Sequence, residues 1–244
     1  MEHKSNKTII LECYRKIIRD LDLSLIETYI REDYIQHSPT VKNGRAGLLE
    51  MLTFLKTLPK PREITPSPIV RVIADGDFVG VHLDVKFMGK SMAVIDLYRL
   101  ENGQLAEHWD AGQAQPENAN SPITMTNGSS IIEDSADKNK NKELVTDFYS
   151  ANSVGNLAGP GKYFTPGFIE HSPTGVLLNT QKLEIKVHRI IGEGNFILTQ
   201  CECKNSSNTF AQYNIFKMED DKIAEHWSVE QAVPVTMAHT NGMF

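Results

Sequence analysis

A short segment that occurs twice constrains this sequence more than any other feature. Residues 107–110 read Glu-His-Trp-Asp, and residues 225–228 read Glu-His-Trp-Ser. Each follows a strand-like run and a short polar turn, and the upstream segments 34–40 and 168–174 share an aromatic residue, Ile and His-Ser-Pro-Thr. Solenoid repeats are about 20–50 residues long, so this longer period predicts two copies of a whole domain.

The chain length is sufficient for two domains that each bury a core. We expect a first domain at residues 1–115, a linker rich in Asn, Ser, Asp and Lys at 116–140, and a second domain at 141–244. Because a linker of this length can reach across a pair of packed domains, we expect the copies to pack through their sheets as an intrachain pseudo-dimer.

Helical periodicity precedes strand periodicity in the first copy. Apolar residues recur at helical spacing over 8–22 and 44–58, and Ser24 is a candidate cap for a short helix between them. Strand-like runs follow at about 64–74, 77–87, 91–100 and 104–113. Helices followed by an antiparallel meander predict an α+β fold, in which a curved sheet packs on the helices.

The second copy is shorter than the first. It opens with a predicted helix near 141–152 and a degenerate one near 154–164. The offset between the copies is 134 positions at His37 and His171 but 118 at His108 and His226, which leaves 16 fewer residues in the second copy. The gap falls at the third helix, so we expect the second copy to lack that helix.

Charge and composition restrict the partners. The formal net charge of −6, without a long basic run, argues against nucleic acid or an anionic membrane as a partner. We expect no membrane span and no secretory signal, hence a cytoplasmic protein. Cys13, Cys201 and Cys203 are an odd number and lack a second pair for a zinc site, so we expect reduced, structural cysteines.

Several segments resemble the SnoaL-like polyketide cyclase family, which lies in the nuclear transport factor two-like superfamily with the ketosteroid isomerases. The matching segments are Tyr34–Pro39, Arg71–Val79, Ala93–Arg99, Glu107–Asp110 and Asn241–Phe244. The resemblance implies two tandem cone-shaped domains, each with helices packed on a curved, mostly antiparallel sheet around an apolar pocket. It implies no cofactor, and a small apolar or carbonyl-containing molecule as partner.

The resemblance also implies site residues. In the characterised cyclases an aspartate in the pocket acts as acid and base in an intramolecular aldol condensation, and Asp110 matches it. Asp96 takes the place of a second polar residue, which is histidine in those cyclases. The function implied is a cofactor-free acid/base catalyst, an aldol-type cyclase or isomerase. The alternative is a non-catalytic module of the same fold that binds a ligand or a protein.

The turn before the Glu-His-Trp-Asp segment decides whether these carboxylates meet. A two-residue Asn-Gly turn would put Asp96 opposite Trp109, with Asp96 and Asp110 on opposite faces of the sheet. A three-residue Glu-Asn-Gly loop would put Asp96 opposite His108, with Asp110 on the same face. We favour the three-residue loop, because one polar cluster is easier to satisfy with hydrogen bonds than isolated groups are.

Desolvation and a second carboxylate nearby would raise the pKa of Asp96 or Asp110. A raised pKa suits a general base that removes a proton next to a carbonyl. The alternative is that Asp110 ends a strand and bonds to backbone. Asn214 and Ser228 stand at the equivalent positions of the second copy, so we expect the first copy to hold the working site.

Five further residues are predicted to line the pocket, although each has a structural alternative. They are His37, His108, Tyr34, Trp109 and His82. Tryptophan is often largely buried, so core or interface is the alternative for Trp109, and a solvated strand is the alternative for His82. His37 and His108 recur in the second copy, which favours a role in the fold. With Asp110 they would form a two-histidine, one-carboxylate set of the kind that binds iron, but we predict no metal.

Overall fold

The computed structural model describes residues 4–59, 66–87, 89–117, 121–153, 160–173 and 184–244. Most of the degenerate helix expected near 154–164 and the segment at 174–183, where the second copy is expected to lack a helix, lie outside the described residues. None of the helices in the described ranges is long and apolar enough to cross a membrane.

The helices of the first copy agree with the predicted periodicity, and one has an unusual end. Helix α1 (Asn6–Cys13) begins at Ser5, whose side chain accepts a hydrogen bond from the backbone N–H of Thr8. It continues as a π-helical segment, Tyr14–Arg19. The remaining helices are α2 (Ile26–Tyr29) and α3 (Gly44–Thr57). Asp22, and not Ser24, caps the 3₁₀ turn that leads into α2.

Five strands form the sheet of the first copy. They are β1 (Ile30–Gln36), β2 (Ile69–Asp75), β3 (Phe78–Phe87), β4 (Lys90–Glu101) and β5 (Gln104–Ala114). Their order is β1-β5-β4-β3-β2, with β1 parallel to β5 and the other pairs antiparallel. The helices cover one face of this sheet, where α1 and α3 contribute to the same buried cluster as β3, β4 and β5.

The second copy repeats this architecture. It begins with helix α4 (Lys138–Ser153), followed by β6 (Phe164–Glu170), β7 (Glu184–Glu193), β8 (Phe196–Lys204), β9 (Thr209–Glu219) and β10 (Lys222–Ala232). The strand order is β6-β10-β9-β8-β7, with β6 parallel to β10. The α+β fold predicted from the sequence is confirmed, and it occurs twice.

The β4–β5 hairpin corrects the favoured register. Asn102 and Gly103 have φ of 52° and 79°, and Glu101 pairs with Gln104, so the turn has two residues. The three-residue loop was therefore wrong. Ala106 is an extra residue between two successive pairs, which makes a β-bulge.

The bulge brings Asp96 and Asp110 to the same face of the sheet, which the two-residue turn alone would have prevented. Beyond Ala106 the strands are shifted by one residue, and Asp96 pairs directly with Asp110. The two carboxylates thus lie on one face of the sheet, although neither proposed turn predicted this pairing. The second copy has the same bulge at Ala224, and Asn214 pairs with Ser228.

The two sheets pack face to face and share one hydrophobic core. Its buried members include Ile73, Ile95, Leu97 and Trp109 of the first copy and Leu198, Tyr213, Ile215 and Trp227 of the second. A Cβ added to Gly80 on β3 would lie 2.5 Å from Cδ1 of Leu198 on β8. The copies therefore approach closely through equivalent strands, as expected for the pseudo-dimer.

Each tryptophan of this interface meets an arginine of the other copy. Both indole rings are completely buried. The guanidinium carbon of Arg189 lies 3.9 Å from the centre of the Trp109 ring, and that of Arg71 lies 3.9 Å from the centre of the Trp227 ring. Cation–π contacts contribute about 0.5–1 kcal/mol at exposed sites and about 2 kcal/mol when desolvated. Both crossed pairs therefore help to hold the copies together, and the pair with the buried Arg71 contributes more.

Arg71 also supports the segment that connects the copies. It is 3% exposed and donates hydrogen bonds to the backbone oxygens of Thr126, Asn127 and Ser129 over 3.0, 2.6 and 2.7 Å. Burial lowers the pKa of its guanidinium to about 10. The charge is nevertheless kept at neutral pH, and it strengthens all three bonds.

We predict that Arg71→Met destabilises the protein by about 3 kcal/mol or more, because three backbone oxygens lose a charged donor. Arg189→Met is the matched variant. Arg189 is only half-buried and bonds to the side chain of Gln200, so its replacement should cost less. The midpoint of urea denaturation measures both losses. Equal losses, or a loss below about 1 kcal/mol for Arg71→Met, would contradict the role assigned to this arginine.

Candidate functional site

The face of the first sheet that packs on the helices carries a polar cluster. Asp96 and Asp110 lie opposite each other on β4 and β5, and Tyr98 and His108 occupy the neighbouring pair on the same face. The Tyr98 and His108 rings stack with their centroids 4.5 Å apart. The bulge at Ala106 is what brings these four side chains to one face.

Asp96 has both carboxylate oxygens engaged. Its Oδ2 accepts a short hydrogen bond from the Tyr14 hydroxyl and a 3.4 Å bond from the Tyr98 hydroxyl. Its Oδ1 lies 3.2 Å from Nε2 of His108. Tyr14 begins the π-helical segment that follows α1, so the wider turn starts where the helix meets the site.

Gln36 fixes the proton on the other side of the His108 ring. The backbone N–H groups of His37 and Ser38 donate to Oε1 of Gln36 over 3.0 and 2.9 Å, and an N–H can only donate. Oε1 is thus an acceptor, and Nδ1 of His108, 3.0 Å away, must donate to it. The remaining nitrogen, Nε2, shares a proton with Asp96.

The charges around His108 favour its protonated form. Burial alone would lower the pKa of His108, but the hydrogen bond and charge of Asp96, helped by the charge of Asp110, raise it above its usual value. The raised pKa of His108 favours an imidazolium ring beside the Asp96 carboxyl group. Its positive charge lies beside the second carboxylate.

Asp110 differs from Asp96 in having an available oxygen. Its Oδ2 accepts a hydrogen bond from the Ser38 hydroxyl over 3.1 Å. Its Oδ1 is buried and has no hydrogen-bond partner among the residues that the structure describes. Burial raises the pKa of Asp110; the charge of His108 and the Ser38 bond oppose this rise, whereas the charge of Asp96 adds to it.

Three predicted pocket residues lie on the other face of the sheet, which corrects their assignment. Trp109 alternates with His108 along β5 and packs between the sheets. His37 stacks on Trp109 with ring centroids 4.9 Å apart, and its Nε2 lies 2.9 Å from Glu107. His82 is buried and accepts a hydrogen bond at Nδ1 from Arg71 over 3.0 Å.

The physical reason is the alternation of side chains along a strand. The bulge turns His108 and Asp110 toward the helices, so Trp109 must face the other sheet. His82 lies between Val81 and Leu83, which pack in the helix-facing cluster. Of the other predicted pocket residues, Tyr34 is buried in that cluster, with its hydroxyl 3.4 Å from Nε2 of Gln36.

Sequence reasoning missed four residues that contact the carboxylates or His108. Tyr98 could have been found, because it alternates with Asp96 on the same strand. Gln36 and Ser38 flank His37 within the repeated segment, but this segment was interpreted through its histidine. Tyr14 gave no signal, since its position depends on the π-helical turn.

The second copy keeps a histidine at this place but changes its partners. Nδ1 of His226 lies 2.7 Å from Oε1 of Glu170, and Nε2 lies 3.1 Å from Oδ1 of Asn214. In the first copy the amide Gln36 is on the Nδ1 side and the carboxylate Asp96 is on the Nε2 side. Each histidine therefore has one amide and one carboxylate partner, in exchanged positions.

The second copy lacks the pair of carboxylates that Asp96 and Asp110 form in the first copy. Ser228 stands where the first copy has Asp110, and Phe216 stands where it has Tyr98. A serine and a phenylalanine provide no carboxylate base. This copy retains the support for its histidine without the second acid.

The cluster also has the compactness that a metal ion needs. One donor atom each from Asp96, His108 and Asp110 lies within 4.8 Å of the others. Two of these donors, however, share a proton with each other. The expected set with His37 is not assembled, because His37 lies across the sheet. The geometry is that of a hydrogen-bonded acid/base cluster, and the absence of metal and cofactor stays a prediction.

The fold defines the class of protein. It is an α+β fold in which helices pack on a five-stranded mixed sheet, and this architecture occurs twice. The first copy contains a SnoaL-like domain, because residues 12–108 match the model of the family described by that name. The match includes Tyr14, Gln36, Asp96 and His108 and ends before Asp110.

Solved structures that resemble the chain share little sequence with it. IdmH from Streptomyces antibioticus, described as a candidate polyketide cyclase, is 18% identical, with 45% of this chain and 93% of that chain covered and a TM-score of 0.36. An NTF-2 like protein of unknown function from Burkholderia xenovorans is 18% identical, with 38% and 84% covered and a TM-score of 0.34. A candidate ketosteroid isomerase from Kribbella flavida is 8% identical, with 39% and 81% covered and a TM-score of 0.36. Comparison with the curated proteins by sequence gives no match.

We predict that His108 titrates above the ordinary histidine value of about 6.5, and that Asp96→Asn lowers its pKa because the amide removes the charge beside Nε2. Histidine resonances followed by NMR across pH 4–9 measure both. By linkage, this raised pKa stabilises the fold below the unfolded value, and the contribution is lost as pH rises through the folded value.

Asp33→Asn is the control for this titration, because Asp33 is exposed and pairs with Arg31. It should leave the His108 titration unchanged. A His108 pKa at or below the ordinary value in the unaltered protein would show that the proton is not shared with Asp96.

Proposed function

We propose that the first copy binds a small carbonyl compound and that Asp110 acts on it as a general base and acid, without a cofactor. The observation that carries this proposal is the unpartnered Oδ1 of Asp110 in a carboxyl group with a raised pKa. A base of this kind removes a proton from carbon next to a carbonyl and returns it to another atom. The reaction class is an aldol-type cyclisation or an isomerisation.

The neighbours of Asp110 have supporting roles in this proposal. The Ser38 hydroxyl orients the carboxylate through Oδ2 and leaves Oδ1 for the substrate. The imidazolium form of His108, which the raised pKa favours, would supply a positive charge that favours the basic form of Asp110 and the oxyanion of an enolate. Tyr14 and Tyr98 hold Asp96 in place.

The apolar surroundings support a substrate that is mostly hydrocarbon. Partly buried side chains pack against the helix-facing core of the first copy: Met51, Leu55, Ile69, Val85 and Val94. Apolar groups on the same side of the sheet as a few convergent polar groups are typical of small-molecule sites.

We assign this site to a first domain at residues 1–115, with residues 116–140 as linker and a second domain at 141–244. The second domain is a scaffold in this proposal. Its Asn214 and Ser228 replace both carboxylates, so it lacks the groups that the proposed chemistry needs.

A second function, ligand binding without catalysis, is favoured by one contact. The Tyr14 hydroxyl bonds directly to Asp96, so the chain's own side chains saturate the inner carboxylate. In a binding module, the cluster would fix the shape of the pocket and Asp110 would accept a hydrogen bond from the ligand.

We predict that Asp110→Asn lowers turnover by about 10²–10⁴-fold, the usual contribution of a positioned general base. The measurement is the exchange of deuterium from D₂O into the carbon next to the carbonyl, followed by NMR for a panel of cyclic and polycyclic ketones. The asparagine keeps the shape of the side chain, so binding of the same ketone should change little.

Ser228→Ala is the matched control, because Ser228 occupies the equivalent position of the second copy, and it should leave the exchange rate unchanged. Full exchange activity in the Asp110→Asn protein would remove Asp110 from the mechanism. A ketone that binds to the unaltered protein without any exchange would support the binding function instead.

A further inference from the structure

A segment of the second copy lies on the first copy beside the candidate site. Residues 238–244, the crossing segment, follow the last strand of the second sheet at a distance of a few residues. Met243 is 1% exposed in the core shared by the two sheets, and its backbone oxygen accepts a 3.3 Å hydrogen bond from Gln200. The crossing segment is thus fixed to the second copy at one end.

The crossing segment contacts the first copy at residues 36–39, which comprise the last residue of β1 and the turn after it and are called the bend below. The backbone N–H of Ala238 donates to the oxygen of Pro39 over 2.8 Å, and the His239 ring donates from Nε2 to the oxygen of Ser38 over 2.9 Å. Nδ1 of His37 donates to the oxygen of Gly242 over 2.9 Å. These bonds hold the bend from both sides.

Asn241 makes the contact nearest to the site. Its Nδ2 donates to the backbone oxygen of Gln36 over 2.8 Å and to Oδ1 of Asn43 over 2.7 Å. The same Oδ1 of Asn43 accepts from the backbone N–H of Gln36 over 3.0 Å. Asn241 and Asn43 therefore hold both backbone polar groups of Gln36.

The bend carries the two side chains that form hydrogen bonds with His108 and Asp110. Gln36 accepts from Nδ1 of His108, and Ser38 donates to Oδ2 of Asp110. A small displacement of the bend would weaken both bonds, since hydrogen bonds depend steeply on distance and angle. The crossing segment is one contact removed from His108 and from Asp110.

We propose that the crossing segment is a positioning element for the site of the first copy, and that Asn241 is its main positioning residue. The second copy then contributes to the site through this segment without supplying a catalytic group. If the crossing segment is lost, any effect on turnover depends on the proposed function. An effect on the protonation of His108 does not depend on it.

The first copy has an equivalent segment that provides a matched control. Thr126-Asn127-Gly128 corresponds to Thr240-Asn241-Gly242, and it lies on the bend of the second copy. Oδ1 of Asn127 lies 3.1 Å from Nδ1 of His171, and its backbone oxygen accepts from the Trp227 indole over 2.7 Å. The copies thus exchange segments, and the Asn127 side chain contacts His171 of the second copy rather than Gln36 or Ser38.

The test compares Asn241→Ala with Asn127→Ala in the full chain, with His108 titrated by NMR. We expect the pKa of His108 to fall by about 0.5 or more in Asn241→Ala, because a displaced Gln36 no longer stabilises the charged ring. The charged neighbours of the ring, Asp96 and Asp110, are unchanged. In Asn127→Ala the His108 pKa should move by less than about 0.2.

Asn241→Leu is the second variant, since it keeps the volume and removes the donors, and it should give the same shift. Asn241 is exposed, so both variants should fold. An unchanged His108 titration in the Asn241 variants, or equal shifts in the Asn127 and Asn241 variants, would overturn the proposal. Failure of the Asp110→Asn test with the His108 shift intact would reject the proposed chemistry alone.

Discussion

The packing of the two tryptophans between the sheets is the contact on which the rest of the structure depends. Trp109 and Trp227 are completely buried, and each is touched by a histidine of its own copy and an arginine of the other. Full burial of a large aromatic side chain contributes about 3 kcal/mol, so exposing this face of either sheet to water would be unfavourable. This explains why the tryptophan of Glu-His-Trp occurs in both copies: its side chain belongs to the interface, whereas the histidine before it faces the helices.

The two faces of the first sheet consequently have different functions. The face toward the second copy buries Trp109, His37 and His82, and it fixes the pair of domains. The face toward the helices carries Asp96, His108 and Asp110, and it holds the polar cluster. The bulge at Ala106 separates the two functions, since without it Asp110 would point into the interface. The second copy has the same bulge but has lost the acids, so its contribution to the site passes through the crossing segment.

Much of the fold could be predicted from the sequence, because repeats, periodicity and turn residues act locally. The α+β class, the strands and the two copies follow from such patterns. The register could not be predicted, because no local signal marks Ala106 as an extra residue, and one residue reverses every side chain beyond it. The assignments of Trp109 and His82 to the pocket were wrong for a related reason: the sequence did not show which face of the sheet each side chain occupies. Asp96 and Asp110 were found together, although by an incorrect turn, and Tyr14 was missed because a π-helical turn places it.

We infer that the two copies form one cooperative unit, so that the site of the first copy depends on the second. The chain has only two tryptophans, one at each equivalent position of the interface. Trp227→Phe and Trp109→Phe each leave one reporter, and urea denaturation can be followed by its fluorescence and by far-UV circular dichroism. We expect coincident transitions for both signals in both variants, as cooperative unfolding requires. A fluorescence change that precedes the loss of secondary structure, or separate transitions for the two reporters, would contradict it.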